Sequence, residues 1–173
     1  TEEPCPPGVI CVDTFPFTDD NTTTGKPSTM DGYACSPSTD ESGPEVVYRV
    51  TLSTAAFLAL ELHDMASGVD VDVHLLDALD TDQCIDRGHW TAGSWLEAGD
   101  YWVVADSWVD GADVFDGAYA LSIGAVTEAD LRAGGLASHV ARDAMRAFER
   151  AWSWDETDSF VYTVLDFSLP SYD

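Results

Sequence analysis

Asp70, Asp72 and His74 stand two residues apart in the stretch "VDVDVHLL". Residues two apart on a strand share a face, so these three side chains could meet one ion. Acids are poor strand formers, and their recurrence at alternate positions calls for a reason. Calcium takes six to eight oxygens, largely from carboxylates and loop carbonyls. More carboxylates follow at Asp106, at the end of "YWVVAD", and at Asp110, Asp113 and Asp116 in the next loop. That loop has acids at steps of three with glycines at Gly111 and Gly117, but not the order of an EF-hand. The expected cofactor is a calcium ion, Ca2+, held among Asp70, Asp72, Asp106, Asp110, Asp113 and Asp116. His74 is expected at the surface rather than on the ion. The competing expectation is a solvated acidic face.

Aromatic residues are the second candidate for chemistry. The chain has six tryptophans, among which Trp90 and Trp95 flank Gly93, and Trp108 adjoins the acidic loop. Exposed indoles beside carboxylates suit a glycan or peptide surface, so Trp90, Trp95 and Trp108 are the expected ligand-binding set. The competing role is core packing, the usual place of large aromatics. No G-x-S-x-G, H-E-x-x-H or phosphate loop occurs, and no cysteine pairs with a suitable histidine. The chain is therefore expected to be non-catalytic.

The charge narrows the partners. Thirty-two acids against seven bases give −25 over 173 residues, well beyond the magnitude of about 8 usual for a small domain. Such a field repels nucleic acid and anionic lipid, leaving divalent cations or basic partners. Adaptation to a salty medium is a further source of the same excess. No apolar run reaches the roughly 18 residues of a membrane-spanning helix, so no membrane insertion is expected. The acids are also unevenly spread: residues 1–126 carry 23 acids and three bases, residues 127–173 nine acids and four bases. That shift marks a boundary.

Cys5, Cys11, Cys35 and Cys84 lie in loop-like sequence without a C-x-x-C pair. An even count of this kind reads as two disulfides in an exported protein, secreted, periplasmic or at the cell surface. Three pairings are open. The expected one is Cys5–Cys11, closing the terminal loop, with Cys35–Cys84 joining two strand ends.

These residues need elements to position them. Residues 1–44 are rich in Pro, Thr, Ser, Asp and Gly and read as loop with short strands. From residue 45, "EVVYRVTLS", "FLALELHD", "VDVDVHLL", "LEAGDYWVVADSW" and "DGAYALSIGA" alternate apolar and polar residues between turn signals. Five or more short strands with no intervening helix pattern predict an antiparallel sandwich. After Thr127, a plausible helix cap, the period changes. Leu136, Val140, Ala144, Phe148 and Trp152 recur every four residues along a helix expected from about 128 to 152. Arg142, Arg146 and Arg150 form a basic stripe beside them.

Two resemblances follow from these blocks. Residues from about 13 to 126 resemble a bacterial pre-peptidase C-terminal domain, through "TTTGKPSTMDGYACSP", "SGPEVVYRVTL", "VDVDVHLLDAL", "LEAGDYWVVADSW" and "GAYALSI" in that order. The resemblance implies a jelly-roll-like β-sandwich with a non-catalytic accessory role beside an exported enzyme. It also implies that calcium, substrate polymer or cell surface could be bound. The last residues, "FVYTVLDFSLPSYD", are similar to the opening strand of the murein L,D-transpeptidase catalytic-domain family. Members carry a His-Gly block and a later catalytic cysteine. Here no histidine precedes a glycine, and all four cysteines lie upstream.

The expected protein is thus mainly β: a jelly-roll-like antiparallel β-sandwich with a C-terminal helix and trailing strand. Its parts are a disulfide-bearing N-terminal loop (1–12), the sandwich (13–126), and the helix with the first strand of a truncated second domain (127–173). It is expected to be a monomeric accessory or binding module of an exported cell-envelope protein, with a cell-wall polymer or an adjacent catalytic domain as partner. The alternative is the N-terminal part of a peptidoglycan cross-linking L,D-transpeptidase whose catalytic His and Cys lie beyond residue 173.

Overall fold

The structure is a computed structural model and describes residues 4–133, with side chains to residue 130. Alternation of β-branched and polar residues gives eleven strands. They are β1 (Val9–Val12), β2 (Phe17–Thr22), β3 (Glu45–Leu52), β4 (Ala56–His63), β5 (Val71–Leu76), β6 (Cys84–Gly88), β7 (Thr91–Leu96), β8 (Gly99–Ser107), β9 (Val109–Asp110), β10 (Asp113–Val114) and β11 (Ala118–Thr127). One five-stranded sheet has the order β1-β3-β8-β5-β6 and a four-stranded sheet the order β2-β11-β4-β7, with β9 and β10 forming a small hairpin. All pairings are antiparallel except β1 with β3. The protein is mainly β, an antiparallel sandwich.

The two sheets bury their inward residues against each other. Val46, Tyr48, Val50, Val71, Val73, Leu75, Val103 and Ala105 come from the larger sheet. Leu58, Leu60, Leu62, Ala92, Leu96, Tyr119, Leu121 and Ile123 come from the smaller. Each pair of alternate positions on a strand sends its partners to the opposite face, as the two-residue period requires. Inside this core, the hydroxyls of Tyr48 and Tyr119 meet at 2.7 Å, and Tyr48 donates to Asp19 Oδ2 at 2.9 Å. The pair bridges the sheets with its polar groups satisfied.

The larger sheet has a second, outer layer. Residues 23–44 cross it as a cover rather than leaving it to solvent. Met30 and Tyr33 pack on Leu76 and Val104, with Val47, Trp102 and Cys84 at the margin. The cover is pinned at its ends: Glu45 N–H donates to Pro27 O at 2.9 Å, and Val109 N–H to Asp40 O at 2.9 Å. A Cβ on Gly43 would lie 2.3 Å from Ser107 O, so the cover approaches β8 as closely as a glycine allows.

One expectation changes here, and the expected disulfide pairing holds. Residues 9–12, expected as part of a terminal loop, form β1 and extend the sheet in parallel with β3. The disulfides are Cys5–Cys11, ahead of and within β1, and Cys35–Cys84, which ties the cover to β6. After β11 the chain turns into helix α1 (Glu128–Ala133). Thr127 Oγ1 accepts from Asp130 N–H at 3.1 Å and donates to Asp130 Oδ2 at 2.6 Å, a reciprocal cap at the expected residue. The rest of the expected helix, its arginine stripe and the transpeptidase-like "FVYTVLDFSLPSYD" lie outside the described residues. Among the described residues, no helix is long and apolar enough to cross a membrane.

Candidate metal centre

Strand register places the charged residues of the outer face in rows. Glu45, Asp106 and Asp72 stand side by side across β3, β8 and β5. The next row along is Val47, Val104, His74 and Arg87. Asp70, just before β5, pairs its backbone with two segments: its N–H donates to Phe115 O at 2.9 Å, and its carbonyl accepts from Trp108 N–H at 3.0 Å. His89 follows β6 in the turn into β7. A Cβ on the preceding Gly88 would lie 1.8 Å from Thr91 O, so that turn needs a glycine, and it delivers His89 to the same corner.

The solvated acidic face expected for this strand is absent, because the cover buries it. His74, expected at the surface, is 0% exposed and stacks under Tyr33, ring centroids 3.6 Å apart and 16° from parallel. Burial pushes its pKa down to about 3, so the ring is neutral. Asp72, Asp106 and Glu41 are buried with it. Tyr33 donates its hydroxyl to Asp106 Oδ2 at 2.6 Å. Burial nonetheless raises the Asp106 carboxyl to about 8. Glu45 accepts Thr29 N–H at 3.0 and 3.1 Å on its two oxygens, and Thr29 Oγ1 as well.

Arg87 is the cation of the platform. Its Nη2 donates to Asp72 Oδ2 and, at 3.3 Å, to Glu41 Oε1. The Glu41 carboxyl also reaches Asp72. Burial, then the neighbouring Asp72, push Glu41 well above the ordinary carboxylate range. Burial works against charge on Asp72 too, but hydrogen bonds from His89 and Glu41 and the Arg87 field outweigh it and hold that carboxyl low. At the open edge, His89 Nδ1 lies 2.9 Å from Asp70 Oδ1 and 3.0 Å from Asp72 Oδ1. Asp70, Asp72 and His89 each offer one donor atom, all within 4.8 Å of one another. Asp70 and His89 are each 31% exposed in the side chain, so the cluster is reachable from solvent.

The six-carboxylate set expected from the sequence does not gather. Asp70 and Asp72 converge. Asp106 is a register neighbour of Asp72 but faces Tyr33. Asp110 and Asp113 sit opposite each other on the exposed β9–β10 hairpin, and Asp116 is half-buried beyond it. The aromatic set divides as well. Trp90 is 43% exposed and packs edge-on against the His89 ring at 4.6 Å. Trp108 is half-buried, stacked on Phe115 at 4.9 Å, and joined through its backbone to Asp70. Trp95 is half-buried on β7 of the smaller sheet, paired in register with Phe57 on the adjoining strand β4. His89, Glu41, Arg87 and Tyr33 belong to the site without having been singled out by sequence. They share no periodicity, and only the cover and the β6–β7 turn bring them together.

Fold and corner together define a disulfide-bonded β-sandwich with a buried ionic platform and a half-open acid–imidazole cluster. No protein-family model matches the chain, and no curated protein matches it. Among solved structures, the chain is similar to the pre-peptidase C-terminal domain of a collagenase from Bacillus anthracis. The identity is 16%, covering 71% of this chain and 99% of that one, with a TM-score of 0.46. It is also similar to PliG, a periplasmic inhibitor of g-type lysozyme from Aeromonas hydrophila, at 9% identity over 68% of this chain and 96% of that one, TM-score 0.41. A cycloisomaltooligosaccharide glucanotransferase from Paenibacillus sp. matches at 14% identity over 68% of this chain and 18% of its own, TM-score 0.31. Scores this low leave the architecture to rest on the strand pairing itself.

Proposed function

We propose that this chain is a non-catalytic accessory module of an exported cell-envelope protein, binding a divalent cation at the Asp70–Asp72–His89 corner and a wall polymer beside it. The observation that carries the reading is the corner itself. Two carboxylates and an imidazole converge within 4.8 Å, solvent reaches two of them, and the exposed Trp90 ring lies against the third. A cation screens the carboxylates and gives sugar hydroxyls an electrophilic partner, while an indole face offers the apolar surface on which a sugar ring stacks. Behind the corner, Arg87 joins Glu41 of the cover to Asp72 of the sheet. The two disulfides suit an oxidising, exported setting.

Cosedimentation with insoluble peptidoglycan tests this reading. The protein is expected in the pellet when calcium or another divalent ion is present, and in the supernatant after chelation. Trp90→Ala should reduce pelleting at least tenfold in affinity without changing the melting temperature. A protein that stays in solution under every condition would overturn the proposal.

A further inference from the structure

We infer that the corner is a mixed nitrogen–oxygen site for a divalent transition metal ion of the zinc class, with Asp70, Asp72 and His89 as protein ligands. This rests on the reading of the corner as a cation site and narrows the ion it takes.

The donor set decides the ion. Calcium needs six to eight oxygens. Here two carboxylates converge with one ring nitrogen, and the four other acids expected to join them are not in the cluster. Imidazole nitrogen with carboxylate oxygen suits zinc and its first-row neighbours. The spacing agrees. Ligands about 2.0–2.1 Å from a tetrahedral ion sit roughly 3.3 Å from one another. His89 Nδ1 stands 2.9 and 3.0 Å from its two oxygens. An ion entering in place of the shared proton has to open the triad by only a few tenths of an ångström, and the exposure of Asp70 and His89 leaves water the fourth position.

The surroundings also orient the ligands as metal sites require. Arg87 holds the Oδ2 oxygen of Asp72, leaving Oδ1 for the ion. Trp90 packs edge-on against the His89 ring.

Untagged protein, stripped with chelator and returned to chelator-free buffer, tests the inference by calorimetric titration with zinc, manganese, calcium and magnesium chlorides at equal ionic strength. One equivalent of zinc is expected to bind, at least tenfold tighter than calcium, and to raise the melting temperature with concentration as linkage requires. His89→Gln should weaken zinc at least tenfold, beyond any loss of metal-free melting temperature that follows from removing its bond to Asp72. Cobalt in place of zinc should give visible absorption bands that His89→Gln removes. Calcium binding tighter than zinc would overturn this inference and leave the cation-site reading standing. No binding of any of the four ions would overturn both. Zinc bound equally well by His89→Gln would place it elsewhere and overturn the assignment.

Discussion

At the scale of single residues, the outer face of the larger sheet shows how burial changes a carboxyl group's role. Asp106 has no exposed surface, and burial raises its pKa to about 8 although Tyr33 donates to it. An unfolded aspartate releases its proton near pH 4. The folded state therefore holds a proton that the unfolded chain gives up, so this group's contribution is complete below about pH 4 and is lost as pH rises through about 8. The slope is at most about 1.4 kcal/mol per pH unit. Asp106→Asn keeps an oxygen for Tyr33 but cannot ionise. Urea unfolding at several pH values between those limits should show wild type losing stability as pH rises, by about 1–3 kcal/mol more than the variant. Parallel curves would mean that Asp106 is ionised throughout.

At the scale of elements, the cover of residues 23–44 is what converts a half-solvated sheet into a buried platform. Its sequence, dense in Pro, Thr, Ser and Gly, forms no strand of its own. It is held by Tyr33 on His74, by Glu41 on Arg87, and by Cys35–Cys84, which closes a span of 49 residues. Replacing both of these cysteines by serine frees the unfolded chain and should cost about 2–4 kcal/mol. Limited proteolysis should then cut within residues 23–44, which the intact protein should resist. Equal resistance would show that Tyr33, Glu41 and Gly43 hold the cover without the disulfide. This layer also marks where the sequence is legible. Val69, Val71, Val73 and Leu75 predict one core face by period two, and β5 obeys it. The opposite face, Asp70, Asp72 and His74, is periodic too, but periodicity does not say whether a face meets water or a loop.

At the scale of the whole molecule, the charge of −25 dominates. Among the described residues the basic side chains are Lys26, exposed, and Arg49 and Arg87 within the larger sheet, Arg49 buried and Arg87 half-buried, so little positive charge is left to relieve repulsion at the surface. Self-repulsion of this size opposes the compact state and is screened by salt. Raising sodium chloride from about 10 mM to about 1 M shortens the screening length from about 30 Å to about 3 Å. The melting temperature should rise by several degrees over that range, most steeply at the low end. A flat or falling response would mean that specific ion pairs such as Arg87–Asp72 outweigh the general repulsion.

By itself the sequence determined the class of fold. Alternation in "EVVYRVTLS", "VDVDVHLL", "YWVVAD" and "GAYALSI" commits those segments to strands with one apolar face, because that face has to leave water. Local chemistry also carried Thr127 as the cap of α1, since a cap needs only residues three apart. Tertiary structure decided the rest. The parallel pairing of β1, the burial of His74 and the meeting of His89 with Asp70 and Asp72 all join segments distant in sequence. No local pattern encodes such contacts. They arise because a loop without periodicity finds, on the charged side of a sheet, donors and acceptors that match its own.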